Sequence, residues 1–469
     1  MNVILVVFDT LRKDCVAAYG SPSWADVRTP HIDAFSRESL VMMRAYPESL
    51  PTLPARRALY TGQRVYPFHS GDFRLKGDFV GAPGWGPIPE YQQTLAELLH
   101  ENGYRTGLIC DVPHMFKPSK NYWRGFDQWT FLRGQTMDPQ RSGPSPSQVE
   151  IDHWLPQELQ TERTVWFMRQ CITNLRDRNK EEDYFAPRVF SEASVWLEQN
   201  QDAEKLFLTV ECFDPHEPWF VPEHYRREYI PDGEPYVPKA PYGDFEHMDE
   251  HLLRGLRASY AALVTMCDRW FGHLMESLRV LGLLDHSLIV LVSDHGHSIG
   301  EGNHIGKRGY PSTPEVYEVP LMIRHPQGIG AGLRSDFLVQ HTDVAATILE
   351  AAGSATTETL LRGKPFLETA VQGTAPLRDH VTVGWGSAVT VIDDKWWLNC
   401  KVDGTGALLY DLTLPCPFEK SVAHEEPEVA RRLFEVAVED AEGGFPDWLL
   451  QLASEHEDAP GCTALTGRK

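Results

Sequence analysis

Four short apolar segments that each end in an aspartate place the strongest constraint on the fold. "VILVVFD" reaches Asp9, "TGLICD" reaches Asp111, "LFLTVECFD" reaches Asp214 and "LIVLVSD" reaches Asp294. All are rich in β-branched residues and do not alternate with polar ones, the pattern of a strand covered on both faces. Helical patterns lie between them. "TLAELLHENG" runs from a Thr94 cap to a Gly103 stop, and "HLLRGLRASYAALVTMCDRWFGHLMESLRVLG" precedes the last strand. This alternation predicts a doubly wound α/β fold with a mostly parallel central sheet. In such sheets ligands bind beyond the carboxyl ends of the strands, so all four aspartates are candidates to face one crevice. A single strand-end aspartate is ordinarily a turn former or helix cap. Four together, two of them followed within two residues by histidine ("DPH", "DHG"), argue for a site.

The texture changes after residue 375. "HVTVGWGSAVTVIDDKWWLNCKVDGTGALLYDL" alternates and carries turn signals, then gives way to the helical "PEVARRLFEVAVEDA". We therefore expect a main domain over 1–375 and a small C-terminal α+β subdomain, antiparallel sheet plus helix, over 376–469. The Pro-, Gly- and aromatic-rich segment 116–156 is expected to be an insertion that shapes a pocket or meets another subunit. With the C-terminal helix, it is a candidate contact for a homo-oligomer.

The charge balance is −22, which opposes a nucleic-acid or anionic-membrane partner. An anionic small molecule could still bind, drawn in by local cations or a metal. No stretch approaches the length of a membrane span. The opening apolar run ends at Asp9 without the features of a signal peptide, and the eight cysteines are scattered without a CxxC pair. Buried free thiols and a cytoplasmic protein are the expectation.

Asp294 and His295 leave a strand end side by side, and Asp9 supplies a third donor from another strand end, a suitable set for a hard or borderline divalent cation. Lys307, in a glycine-rich loop, could neutralise a substrate anion if that loop folds over the metal. In "SLPTLPARRALYTGQR", Pro54 suits the first turn of a helix running to about Thr61 and stopped by Gly62. Thr52 would sit at its N-terminus, where free N–H groups favour negative charge. There it is either a helix cap or a nucleophile whose hydroxyl a metal activates, with Arg56 one turn on. His341 and Asp343, at the start of an apolar helix, are read as structural. Trp123, Trp129, Trp219 and Trp385 belong either to the pocket or to the core.

Several blocks carry a resemblance. "TPHIDAFSRES", "TLPAR" followed by "LYTG", "TLAELLHENGYRT", "FDPHEPW", "LIVLVSDHG", Lys307, "VYEVPLMIRHP" and "LLYDL" occur in order over residues 1–415. The chain resembles the sulfatase family of the alkaline phosphatase superfamily. The resemblance implies an alkaline phosphatase-like α/β sandwich with a smaller C-terminal subdomain, and metal-dependent hydrolysis of a sulfuric or phosphoric ester. By position it implies Asp9, Asp294 and His295 as metal ligands, joined by the Thr52 hydroxyl. It further implies Thr52 as nucleophile, Arg56 as its partner, and His216 and Lys307 as ligands of the substrate anion.

Three departures shape the functional expectation. Threonine stands where the family carries the cysteine or serine that becomes formylglycine. Thr10 replaces a second aspartate, and "DTLRKD" is similar to the form found in phosphonate monoester hydrolases. Asp111 stands in place of a substrate-binding lysine, with His114 shifted by one, so both are candidate substrate-binding residues. Together these favour a hydrolase of phosphate diesters or phosphonate monoesters working through a covalent Thr52 intermediate. The alternatives are a sulfatase acting without formylglycine and a non-catalytic metal-binding homologue. One divalent ion is expected: Mn, Ca or Mg, with Zn admissible.

Overall fold

The computed structural model describes the chain except residues 70–77, 79, 177, 231–233, 355–361, 374, 456, 458–461 and 466–469. Its strands, in chain order, begin with β1 (Asn2–Phe8), β2 (Leu40–Tyr46), β3 (Ser49–Leu50), β4 (Arg105–Cys110), β5 (Gln128–Phe131) and β6 (Leu206–Cys212). They continue with β7 (Gly243–Asp244), β8 (Ser287–Ser293), β9 (Ser298–Ile299), β10 (His304–Gly306), β11 (Leu321–Arg324) and β12 (Arg334–Gln340). The last are β13 (His380–Trp385), β14 (Ala388–Asp393), β15 (Trp396–Lys401) and β16 (Leu408–Asp411).

Eight strands form one sheet in the order β12-β2-β11-β8-β1-β6-β4-β5. The five from β8 to β5 run parallel, while β11 is antiparallel to both its neighbours. Every residue of β1, β6 and β8 is buried, which is why these segments do not alternate. Their side chains still alternate between two cores. Ile4, Val6 and Phe8 pack on one side, with the helices Phe185–Asn200 and Glu250–Val280. Val3, Leu5 and Val7 pack on the other, with Thr52–Thr61, Leu95–Glu101 and His341–Ala351. Each such side chain contributes about 1.5–3 kcal/mol of gross burial free energy. The result is the expected α/β sandwich.

A second sheet, β16-β15-β14-β13-β3, is an antiparallel meander onto which the helix Pro427–Asp440 packs. Its last strand comes from far away in sequence. β3 pairs in parallel with β13, Ser49 opposite Gly384 and Leu50 opposite Trp385. Segment 116–156, expected as an insertion, supplies β5, which extends the main sheet by pairing with β4. Among the described residues no helix is long and apolar enough to cross a membrane. Six cysteines are buried and free, Cys416 is exposed and Cys462 half-buried.

Candidate active site

β1 and β8 lie side by side in parallel, so Asp9 and Asp294 emerge from neighbouring strand ends. The helix Thr52–Thr61 starts beside them and sends Arg56 between them. One guanidinium nitrogen of Arg56 donates to Asp9 Oδ2 at 3.0 Å, to Asp294 Oδ2 at 2.5 Å and to the Thr52 carbonyl at 3.3 Å. Its Nε donates to Glu211 Oε2 at 2.9 Å, and all four side chains are fully buried. Burial works against the Arg56 charge, but Glu211, Asp294 and Asp9 outweigh it and hold the group protonated. Burial pushes the Glu211 carboxyl up to about 7 against the pull of Arg56.

Thr52 is the first residue of its helix, with Pro51 in the capping position, so its hydroxyl is not spent on a cap. Gly62 ends the helix in the left-handed conformation (φ 62°). Thr52 Oγ1 lies 3.3 Å from His295 Nε2. His295 Nδ1 is 3.0 Å from the Gly296 carbonyl, which can only accept, so the proton sits on Nδ1 and Nε2 presents a lone pair. Burial drives the His295 pKa down to about 3, so the ring is neutral.

That lone pair stands 3.4 Å from Asp294 Oδ2. A neutral imidazole nitrogen facing a carboxylate at this distance is repulsive unless a cation joins them. One donor atom each from Asp9, Asp294 and His295 lie within 4.8 Å of one another. The set of two carboxylates and an unprotonated imidazole fits a divalent cation, which would share these oxygens with Arg56.

Thr10 knots the cluster together. It holds φ 66°, a costly value for a β-branched residue. Its N–H donates to Asp294 Oδ1 at 2.9 Å and its hydroxyl to Asp9 Oδ1 at 2.6 Å. Lys307 Nζ donates to the same hydroxyl at 3.3 Å. The position that lacks a second aspartate thus couples Lys307 to Asp9.

Above this floor opens a cavity of about 580 Å³, lined at its base by Thr52, His114, His216 and Lys307. His216 stacks on Phe213 at 4.2 Å and donates from Nδ1 to the Glu217 carbonyl at 2.7 Å. Burial lowers its pKa to about 4, leaving it neutral. His114 packs edge-on against Trp85 and Phe213, and burial lowers its pKa too.

Comparison with known proteins settles the kinship. A family profile described as Sulfatase matches residues 1–354. The chain belongs to the sulfatase family. This sulfatase-family hydrolase is 26% identical over 402 residues to the multifunctional alkaline phosphatase superfamily protein PehA of Trinickia caryophylli, covering 76% of this chain and 74% of that protein. It is 24% identical over 370 residues to human iduronate 2-sulfatase, covering 70% of this chain and 60% of the human enzyme. Among solved structures, the phosphonate monoester hydrolase SpPMH from Silicibacter pomeroyi superposes with a TM-score of 0.72 at 19% identity, covering 99% of each chain. That of Agrobacterium radiobacter gives 0.68 at 20% identity, again covering 99% of each. At such identities the superpositions speak for the fold alone.

The four strand-end aspartates of this sulfatase-family chain do not share one crevice. Asp9 and Asp294 meet at Arg56. Asp111 and Asp214 instead share the amide of Gln135, at 2.9 and 2.8 Å. Asp111 also accepts from the Phe213 N–H at 2.6 Å, and Asp214 from that of Ala186. Asp111 is therefore a correction to the substrate-binding set. Its carboxylate is turned into the fold and does not line the cavity. Burial next to Asp214 pushes its pKa up to about 8, as for an acid and a carboxylate side by side.

Trp385 lines the cavity, Trp219 is core, and Trp123 and Trp129 lie on the outer surface, where Trp129 stacks on Phe116. Asp343 accepts from the Gln340 N–H in a capping box, and His341 bonds the Ser293 carbonyl. Sequence reasoning passed over Glu211, although a lone acid inside the buried run "LFLTVECF" was a signal. It also passed over Glu217, Lys239 and Tyr242. Lys239 Nζ and the Tyr242 hydroxyl both donate to Glu217 at the cavity wall. Nothing in "PKAPYG" marks it as a neighbour of His216.

Proposed function

We propose that this chain hydrolyses phosphate diesters or phosphonate monoesters through a covalent Thr52 intermediate, with one divalent cation (Mn, Ca or Mg; Zn admissible) held by Asp9, Asp294, His295 and the Thr52 hydroxyl. The observation that carries this reading is the Thr52 hydroxyl itself. It is free of any capping duty, faces the cavity, and lies 3.3 Å from the Nε2 lone pair of His295. Threonine cannot be converted to the formylglycine aldehyde, so turnover through Thr52 requires an ester that water then breaks at sulfur or phosphorus, and metal-assisted attack at phosphorus is the route we favour. The bound cation would supply positive charge that lowers the hydroxyl pKa and draws in the anionic ester.

The chain's own residues account for the remaining steps. Thr52 Oγ1, its proton lost to water, forms a bond to phosphorus as the bond to the leaving oxygen breaks, and the departing alkoxide takes a proton from water. The helix N-terminus favours the negative charge that gathers there. Arg56 holds the carboxylates in place, Lys307 offers an ammonium at the cavity base, and His216, with its proton on Nδ1, presents Nε2 as an acceptor. Water attacking phosphorus then releases Thr52. The similarity to iduronate 2-sulfatase favours a second reading, sulfuric ester hydrolysis without formylglycine.

The test is hydrolysis of matched aryl esters: sulfate monoester, phosphate monoester, phosphate diester and phosphonate monoester, with Mn, Ca, Mg or Zn supplied. We expect preference for the diester or phosphonate. Thr52→Ala should lower that rate by at least about a thousandfold while circular dichroism stays unchanged. Preference for sulfate would overturn the phosphoester reading. Full activity of Thr52→Ala would overturn the nucleophile.

A further inference from the structure

The cavity is too large for a transferred phosphoryl group alone, and its outer wall is chemically distinct from its base. The helix Glu162–Leu175 approaches it with its first turns, contributing Arg163, Trp166 and Phe167 to the lining. Positions i, i+3 and i+4 share one helix face, so these three side chains project together. Trp166 is 60% exposed, an uncommon position for a large aromatic. Trp85 and Met137 add apolar surface beside it.

The charges of the cavity are unequal in their commitments. Among the described residues, Arg163, Lys239 and Lys307 are the cations in the lining and Glu217 is the carboxylate. Lys239 Nζ lies 3.2 Å from Glu217 Oε1 and 3.9 Å over the Tyr242 ring. Lys307 is held to Thr10 at 3.3 Å. Arg163 is exposed, and among the described residues no carboxylate forms an ion pair with it. In a chain of net charge −22, an uncommitted arginine beside an aromatic wall is the part of this cavity least explained by catalysis.

We propose that Arg163, with Trp166 and Phe167 beside it, recognises a second anionic group on the organic portion of the ester. The substrate is then a flat, apolar-bodied ester whose reacting phosphoryl group lies at Thr52 and whose far end bears a carboxylate or comparable anion. This rests on the phosphoester reading for the reacting end only. A guanidinium and a carboxylate form paired, charge-assisted hydrogen bonds, and the apolar wall between the two ends excludes substrates with strongly hydrated bodies.

The test compares 4-carboxyphenyl phenylphosphonate with the isosteric neutral 4-carbamoylphenyl phenylphosphonate. Binding is read by calorimetry on the full-length Thr52→Ala protein with Mn supplied. The carboxylate is expected to bind about tenfold more tightly, a margin typical of a charge-assisted pair. Adding Arg163→Gln should bring the ratio to near unity, and Arg163→Glu should invert it. Arg169→Gln, on the same helix outside the cavity, should leave the ratio as it was, which separates local recognition from the general field. Equal binding of the two esters to the Arg163 protein, or no binding of either, overturns the proposal, as does a ratio unmoved by Arg163→Gln. Turnover by the Thr52 protein is measured alongside. If neither ester is cleaved, the phosphoester reading fails, while the binding ratio still decides the role of Arg163.

Discussion

Replacing Arg56 by glutamine would leave Asp9, Asp294 and Glu211 buried together without the guanidinium that bonds all three. A buried ion cluster is weak grounds for net stability, but breaking one strands uncompensated charge. We expect Arg56→Gln to destabilise the fold by about 3–5 kcal/mol, read as a lower urea midpoint. Arg56→Lys keeps the charge yet loses the fork that reaches Glu211 and the two aspartates at once, so it should recover only part of the loss. A midpoint unchanged in both variants would show that the carboxylates are neutralised by something other than Arg56. The same residue explains why the site was only half legible in the sequence. Asp9, Asp294, His295 and Thr52 sit at strand ends or a helix start, positions that periodicity locates. The sorting of four aspartates into a pair around Arg56 and a pair around Gln135 depends on side chains from other elements, and no local pattern encodes that.

At the level of elements, the match between sequence and structure is close where the signal is local. The helix Leu95–Glu101 begins behind Thr94 in a reciprocal capping box with Glu97, and Gly103 turns left-handed after it (φ 81°). β5 was missed because its four residues gain strand structure only by pairing with β4. Gly107, in β4, illustrates a contact that spacing cannot reveal. A Cβ there would stand 2.4 Å from the ring of Trp196, which is buried on the helix Phe185–Asn200. Gly107→Ala should cost about 1–3 kcal/mol through overpacking, seen as a drop in melting temperature. In the C-terminal sheet, His380 of β13 meets Asp440 at the end of the helix Pro427–Asp440, Nε2 to Oδ2 at 3.3 Å. The bond to Asp440 raises the histidine pKa, burial opposes it, and Asp379 assists. The folded chain therefore holds this proton more tightly than the unfolded one. The added stability is complete below the unfolded value of about 6.5 and is lost as pH rises through the higher folded value. Solvent screening keeps the effect below about 1 kcal/mol. The protein should melt slightly higher at pH 6 than at pH 8.5, and Asp440→Asn should narrow that difference.

For the whole molecule, the cation proposed for Asp9, Asp294 and His295 would be linked to global stability as well as to rate. Those residues come from β1 and β8, the centre of the main sheet, so an ion bound there favours only the folded chain. At a concentration a hundredfold above its dissociation constant it would add about 2.7 kcal/mol. Chelation should lower the melting temperature by several degrees, re-addition should restore it, and Asp294→Asn should remove the response. A melting temperature indifferent to chelator and ion would refute a cation at this site. The pairing of β3 with β13 has a consequence for truncation. In chain order Asp9 and Thr52 come before Asp294 and His295, and all four come before β13. The strand that clasps Ser49 and Leu50, immediately before Thr52, ends only at Trp385, which also lines the cavity. A chain cut before β13 would keep Thr52 and the three proposed ligands but lose the backbone pairing of Ser49 and Leu50, so it should fold yet hold the proposed nucleophile loosely.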